Sequence, residues 1–279
     1  MLKRKDEDNF FTVLTLAINY FAEHGFRTQK DLEYWVKRLK ESAEKTLPPA
    51  RTTEEAVRRQ LMEAYRKLIT KRQSSSSALL LLLGVNRFTL DRVKPSAKAE
   101  LERRVLASKN LIKLNREEAI STTLRRFEGW VSSVPTTGAA ELDKRDLKRR
   151  IRAPIAKMDF LQRRVIRDQV GKFTQAVNSL IATRGKAIAG RWHSRWREPY
   201  YDYRKDHKER DELYYTIPDN WALTQGLMKV GAPGYTTDVT QPAEEINCKC
   251  SYRYIFDLAD LPDDMLTEKG RQSIASKKK

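Results

Sequence analysis

The sequence predicts an α+β protein: a long, mainly helical N-terminal region followed by a small mixed α/β C-terminal domain. Three observations carry this. Apolar residues recur at helical spacing from Phe10 to about Ile181. Residues 187–196 (AIAGRWHSRW) change to a polar–apolar alternation, the pattern of a strand. Beyond them the chain is rich in Tyr, Pro and Gly and shows no long helical period until about 257–275.

The elements follow in order. Phe10 to Phe21 (FFTVLTLAINYF) is a strongly apolar helix terminated by Gly25. Thr28, three residues before Asp31, opens a second helix through Trp35, Val36 and Leu39, which Pro48 and Pro49 end. Thr53 opens a third, with Val57, Leu61, Tyr65 and Leu68 on its apolar face. Ser74 to Ser77 is a short polar tract, followed by ALLLLLGV at 78–85. That run fits a buried helix turn, a strand or a docking segment, and its length does not decide among them. Leu80 and Leu82 are its candidate docking residues. Pro95 and Ser96 start a charged helical stretch to about Trp130, loosened near Asn110 and Asn115. Residues 132–138 (SSVPTTG) read as a linker. Leu142 to Ile181 is again helical, with Phe160, Val165, Val170, Phe173, Val177 and Leu180 as core positions and Gly185 as the cap. The expected organisation is a helical N-terminal region at 1–135, suited to portal or capsid docking, a basic helical segment at 140–185, and a small α/β domain at 186–279 ending in a charged tail.

The 279 residues carry 55 Lys and Arg against 37 Asp and Glu, a net charge of +18, and the excess is uneven. Residues 143–210 hold 20 basic and 8 acidic side chains, so two thirds of the net charge lies in a quarter of the chain. Such a field attracts phosphate backbones or an acidic protein surface. The candidate nucleic-acid contacts are Lys144, Arg145, Lys148, Arg149, Arg150, Arg152, Arg163, Arg164, Arg191, Arg195 and Arg197. The last three interleave with Trp192, Trp196 and Tyr200, and aromatic rings can stack on exposed bases. The competing reading packs the tryptophans in the core and pairs the arginines locally. No zinc-finger, RRM or OB signature appears, so contact with nucleic acid would be independent of sequence.

The composition also excludes several classes. Two cysteines, Cys248 and Cys250, cannot make a disulfide scaffold. The longest apolar run is far short of a membrane helix, and MLKRKDEDNFF is a poor signal peptide. The chain is therefore expected to be soluble, with no membrane partner. No glycine spacing matches a phosphate-cradling or dinucleotide loop. The candidate metal ligands are His207, Cys248 and Cys250, with His193 or Asp202 as a fourth, because thiolates and imidazole suit tetrahedral zinc. Against this, one residue separates the cysteines where structural sites use two to four, and no cofactor is required by the pattern. The alternatives are two reduced thiols, one buried against the sheet, or a Cys–His pair. His24 reads as a helix-terminal side chain.

Several C-terminal pieces stand in a telling order. Arg167-Asp168-Gln169 with Lys172 comes first, then Gly185 and Trp192, then Asp202-x-Arg204-x-x-His207, and finally Pro242-x-x-Glu245-Ile246-Asn247-Cys248-Lys249-Cys250. Together they resemble the head-morphogenesis (minor head protein, Mu F-like) family of tailed bacteriophages, over roughly a third of the chain. The Asp-Gly that often follows the family's histidine is absent, and the chain reads HKERDELYYTI instead. The resemblance implies a minor structural protein of a phage head, made in the host cytoplasm and residing in the virion, in the capsid interior or at the portal vertex. It implies the portal protein and a major capsid or scaffolding protein as partners, with nonspecific double-stranded DNA, and an oligomeric state set by that assembly. It implies no enzymatic activity and no catalytic residue. Arg167, Asp168, Gln169, Asp202, Arg204, His207, Asn247, Cys248 and Cys250 are then expected to organise the domain. Asn247 would cap a turn through its side chain, and Asp202 and Arg204 would fix the two ends of one loop. The Cys-x-Cys segment would enter the core as a short strand. The readings that compete with a head protein are a cytoplasmic nonspecific nucleic-acid-binding protein and a metal-dependent hydrolase or nuclease.

Overall fold

The computed structural model describes residues 9–47, 50–70, 87–139 and 142–277. It has the expected architecture, a long mainly helical region followed by a small mixed α/β region. The helices are α1 (Phe10–His24), α2 (Gln29–Thr46), α3 (Ala50–Tyr65), α4 (Arg87–Val131), α5 (Lys144–Ala156) and α6 (Met158–Arg184). Strand β1 (Ala189–His193), helix α7 (Lys205–Glu209), β2 (Tyr214–Thr216), α8 (Trp221–Thr224), β3 (Ser251–Ile255) and α9 (Glu268–Lys277) follow. Leu80 and Leu82 lie outside the described residues. Among the described residues no helix is long and apolar enough to cross a membrane.

The chain divides into two compact units, each assembled from two separated stretches. One comprises Met1–Val57 and Ala107–Val165, the other Arg58–Leu106 and Ile166–Lys279. In the first, α1 buries Phe10, Val13, Leu14, Ala17, Ile18 and Phe21 against Leu39 of α2, Phe127 and Val131 of α4, and Leu147 and Ile151 of α5. The Thr28 cap matches its sequence signal, and the structure adds Asn9 as the cap of α1. Asn9 accepts from the Phe11 amide, and Thr28 from the Asp31 amide at 3.2 Å. Residues 132–138 form a turn within this unit, where the Ala139 amide donates to the Ala22 carbonyl at 2.8 Å.

Several local expectations change. Helix α3 starts at Ala50, so Thr53 is an inner, buried residue rather than a cap. It ends in a π turn, Arg66–Thr70, and the wider turn brings Ile69, not Leu68, onto the buried row of Val57 and Leu61. Helix α4 runs unbroken through Asn110 and Asn115, because tertiary contacts outweigh a modest propensity deficit. The stretch 142–181 is two helices, not one. Pro154 has no amide for the Arg150 carbonyl, and that carbonyl accepts instead from the Arg126 guanidinium at 2.7 Å. Phe160, just past this break, is half exposed at 51%, whereas Phe173 and Val177 are buried as expected. At the end of α6 the left-handed residue is Lys186, with φ 66°, and not Gly185. The Ala187 amide donates to Ala182 and the Lys186 amide to Thr183, which closes a Schellman motif.

In the second unit β1 is the central strand of an antiparallel sheet ordered β2-β1-β3. One face gathers Trp192, Tyr215, Tyr252 and Tyr254 with both cysteines. The other packs Ala189 and Ile255 against Leu258, Leu261 and Met265. Gly190 leaves room for the Tyr252 ring, which would lie 3.0 Å from an added Cβ.

Gly25 is the sharpest backbone requirement of the first unit. Its φ is 73°, and a Cβ there would come within 2.3 Å of the Pro135 carbonyl oxygen. Gly25→Ala is therefore expected to destabilise the chain by about 1–3 kcal/mol, read as an earlier urea midpoint with an unchanged slope. An unchanged midpoint would show that the 132–138 turn is not seated on α1.

Candidate metal centre

Helix α7 and the loop before β3 bring His207, Cys248 and Cys250 together. All three are buried, and their ligand atoms lie within 4.8 Å of one another. The His207 Nδ1 stands 3.5 Å from Cys248 Sγ and 3.6 Å from Cys250 Sγ. Zinc bonds of about 2.0–2.1 Å to nitrogen and about 2.3 Å to sulfur, at the tetrahedral angle, separate those two ligand atoms by about 3.6 Å. The nitrogen-to-sulfur spacing fits such an ion. The cysteines precede β3 rather than lying in a strand, so their convergence comes from loop geometry.

The outer contacts orient the ligands. The Nε2 of His207 has no hydrogen-bond partner but stands 3.7 Å from Glu245 Oε2 and 3.8 Å from Asp206 Oδ2. A histidine that holds a metal through one nitrogen commonly turns the other toward a carboxylate. Trp192, fully buried, packs edge-on against the imidazole with ring centroids 5.3 Å apart. The Ala243 amide donates to Cys248 Sγ at 3.3 Å, and the Ser194 hydroxyl lies 3.9 Å from Cys250 Sγ.

The two thiols are driven apart in acidity. A hydrogen bond from the Cys250 thiol, against the opposing effect of burial, holds Cys248 at about 5. The amides of Cys250 and Ala243 and the imidazole of His207 add to it. Its hydrogen bond to Cys248, then burial and the Cys248 charge, push Cys250 well above the usual thiol range. The pair thus shares one proton at neutral pH, leaving a thiolate beside an imidazole. The expectation of a chain with no enzymatic chemistry is corrected on this point. A His–Cys–Cys cluster poised for a metal ion, with an acidified thiol, is a chemically competent centre.

Most of the expected domain-organising residues converge on this loop. Asp168 of α6 accepts the Asn247 amide at 2.6 Å and pairs with Lys172 at 3.0 Å. Gln169, buried, donates to Asp168 at 3.3 Å. Arg204 donates to the Ile246 carbonyl at 3.1 Å and pairs with Glu245. Three expectations fail. Asn247 acts through its main chain, with φ 58°, which asparagine tolerates better than most residues, and not through a side-chain cap. Asp202 is exposed and has no ion pair among the described residues, so Arg204 holds the loop without it. Arg167 is exposed on α6 and likewise has no ion pair among them.

His193 is no fourth ligand. It is exposed and sits with Asp211 and Glu212 in a separate group, because strand alternation turns it away from buried Trp192. No fourth protein ligand joins the His207 group among the described residues. His24 is the last residue of α1, a helix-terminal side chain as expected, stacked on Tyr20.

No family model, curated protein or solved structure matches the chain.

The basic residues are divided between the two units. Lys144, Arg145, Lys148, Arg149, Arg150, Arg152, Arg163 and Arg164 belong to the first unit, and Arg191, Arg195 and Arg197 to the second. Many have local partners. Arg149 and Arg150 share Asp146, Lys144 lies 3.7 Å from Glu23, and Arg152 lies over the Phe11 ring. Arg191 pairs with Glu212, Arg195 with Glu198 and Arg197 with Asp211. Arg145, Lys148, Arg163 and Arg164 have no ion pair among the described residues. Trp192 is core, so it is not a stacking surface, whereas Trp196 is covered by Arg197 and Lys208 at 4.2 and 4.5 Å. Asp211, whose role only the tertiary contacts reveal, accepts from the Ser194 amide and the Trp196 indole, both at 2.8 Å.

The thiol acidities set a pH dependence for the metal-free protein. Cys248 is depressed on folding, so its contribution is fully present above the unfolded value near pH 9 and is lost as pH falls through about 5. Cys250 is raised, so its contribution is present below about pH 9 and declines above it. Thiolate ultraviolet absorbance should report one thiolate per chain across that window, and Cys248→Ser should abolish it. Two neutral thiols at pH 7 would refute the hydrogen-bonded pair.

Proposed function

We propose that the C-terminal part of the chain binds one zinc ion through His207, Cys248 and Cys250 and acts as a metal-dependent hydrolase. One observation carries this reading. One imidazole nitrogen and two sulfurs are buried together, both nitrogen-to-sulfur distances fit a tetrahedral ion, and no fourth protein ligand stands among the described residues. Closed structural zinc sites use four protein ligands, and catalytic sites use three and leave a position for water. Bound there, zinc would lower the pKa of that water to about 7 and supply a nucleophile at neutral pH. The chain's own residues do the rest. The Ala243 amide steadies the Cys248 thiolate, Trp192 fixes the plane of the imidazole, and Glu245 and Asp206 stand near its outer nitrogen. A phosphodiester is the substrate class we favour, because Lys205 and Lys208 on α7 make no ion pair among the described residues and leave positive charge beside the ligand His207.

A second reading is supported by a different observation. Asp168, Arg204, His207, Asn247, Cys248 and Cys250 all meet at one loop, and these are the residues on which the phage head-morphogenesis resemblance rests. In that reading the chain is a minor virion component, bound to a portal or inner capsid surface and touching packaged DNA. A cytoplasmic, nonspecific nucleic-acid-binding protein unrelated to capsids is a separate alternative that needs no assembly partner. Co-purification with assembled heads at low stoichiometry supports the head protein, and absence from both procapsids and virions removes it.

The zinc reading is tested by elemental analysis of the purified full chain with a phosphodiester hydrolysis assay. One zinc per chain is expected. His207→Ala and Cys250→Ser should each lower affinity at least tenfold, and His193→Ala should leave it unchanged. Chelation should abolish hydrolysis, and added zinc should restore it. A zinc-free chain that stays folded and binds no added zinc would refute the centre. A loaded chain without hydrolysis would reduce the ion to a structural role.

A further inference from the structure

We infer that the outer face of the β1–β3 pair is a binding site for a phosphate group, separate from the zinc centre and independent of it. A cavity of about 240 Å³ is lined by Arg191, His193, Glu212, Ser251 and Arg253. The strand register produces it. Arg191 is paired directly with Arg253 and His193 with Ser251, and alternation sends all four side chains to one face. Like charges directly opposite on neighbouring strands are destabilising, so two paired arginines need a reason.

The local charges leave that pair under-neutralised. Glu212 is the single carboxylate lining the cavity, shared between Arg191 and His193, whose Nδ1 stands 3.4 Å away, while the neighbouring Asp211 is held by Arg197, the Ser194 amide and the Trp196 indole. Arg253 has no ion pair among the described residues. Arg191 lies over the Tyr214 ring at 5.6 Å, which fixes its guanidinium, and its buried Nε has no hydrogen-bond partner. The cavity therefore presents two guanidinium groups with donors to spare, a hydroxyl and an imidazole. That donor set matches a tetrahedral oxyanion carrying one or two charges, because guanidinium forks bind phosphate oxygens in pairs. Glu212 acts here as an internal competitor that occupies Arg191 until a stronger anion enters.

The site is tested on the full-length chain with two probes, inorganic phosphate and a short DNA duplex, at ionic strength matched with sodium chloride. Phosphate should raise the thermal midpoint in proportion to the logarithm of its concentration, while chloride should not. Arg253→Gln should raise the midpoint of the free protein, since it relieves the like-charge pair, and weaken phosphate binding about tenfold or more. Glu212→Gln should tighten binding by freeing Arg191. Arg145→Gln, in the other unit, should change neither. If duplex binding also falls in Arg253→Gln and phosphate competes for it, the bound group comes from a nucleic-acid backbone. If only phosphate responds, the site takes a free phosphate or a small ester. A phosphate response identical in wild type, Arg253→Gln and Glu212→Gln, or equal effects of phosphate and chloride, would overturn the proposal. A zinc-free variant such as Cys250→Ser, if folded, should bind phosphate normally.

Discussion

Asp168 reaches from helix α6 to the main-chain amide of Asn247, 79 residues further along the chain, and the cysteine loop hangs on that bond. The carboxylate is nearly buried, with a side-chain exposure of 8%, and Lys172 on the same helix supplies its countercharge. A carboxylate so placed is costly unless its oxygens are satisfied, and removing either partner leaves the other exposed to the full penalty. Tyr201 and Arg204 fasten the same loop, accepting from the Lys249 amide and donating to the Ile246 carbonyl. The two thiols meet the imidazole because the loop between them has nowhere else to go.

This arrangement explains why the buried polar groups of the second unit sit beside its aromatic core. Trp192, Tyr215 and Tyr252 make a dry wall of edge-to-face contacts, and His207 packs edge-on against Trp192. A dry wall strengthens every electrostatic contact it borders. It makes a shared proton between two thiols worth more than it would be in water. A metal ion would satisfy the same thiolates, so the features that acidify Cys248 are the ones that prepare the site for a cation. The opposite face at the same end of β1 is solvent-exposed and cationic. One short strand therefore separates a soft-ligand centre from an array of hard, charged donors.

Much of the fold was legible beforehand because it depends on short-range chemistry. The apolar stripe of α1, the Thr28 cap and the switch from helical to strand periodicity near residue 187 are local features. The differences have two causes, tertiary packing that outweighs a local preference and local backbone geometry that shifts which residue faces inward. The π turn after α3 moved the buried row from Leu68 to Ile69, and the packing of α4 carried it through Asn110 and Asn115. Strand alternation placed Trp192 inside and His193 outside, which removed one candidate ligand and one candidate stacking ring together.

The sequence by itself determined the helical and mixed regions, the uneven basic charge and the His and Cys residues able to hold a soft metal. These depend on composition and on spacings of a few residues. Only the tertiary structure decided that His207 faces both sulfurs, that Asp168 rather than Asp202 anchors the loop, and that Arg191 stands beside Arg253. Each of those pairings joins residues from 41 to 79 positions apart. Such distances are closed by loop geometry and strand register, and neither leaves a periodic mark in the chain.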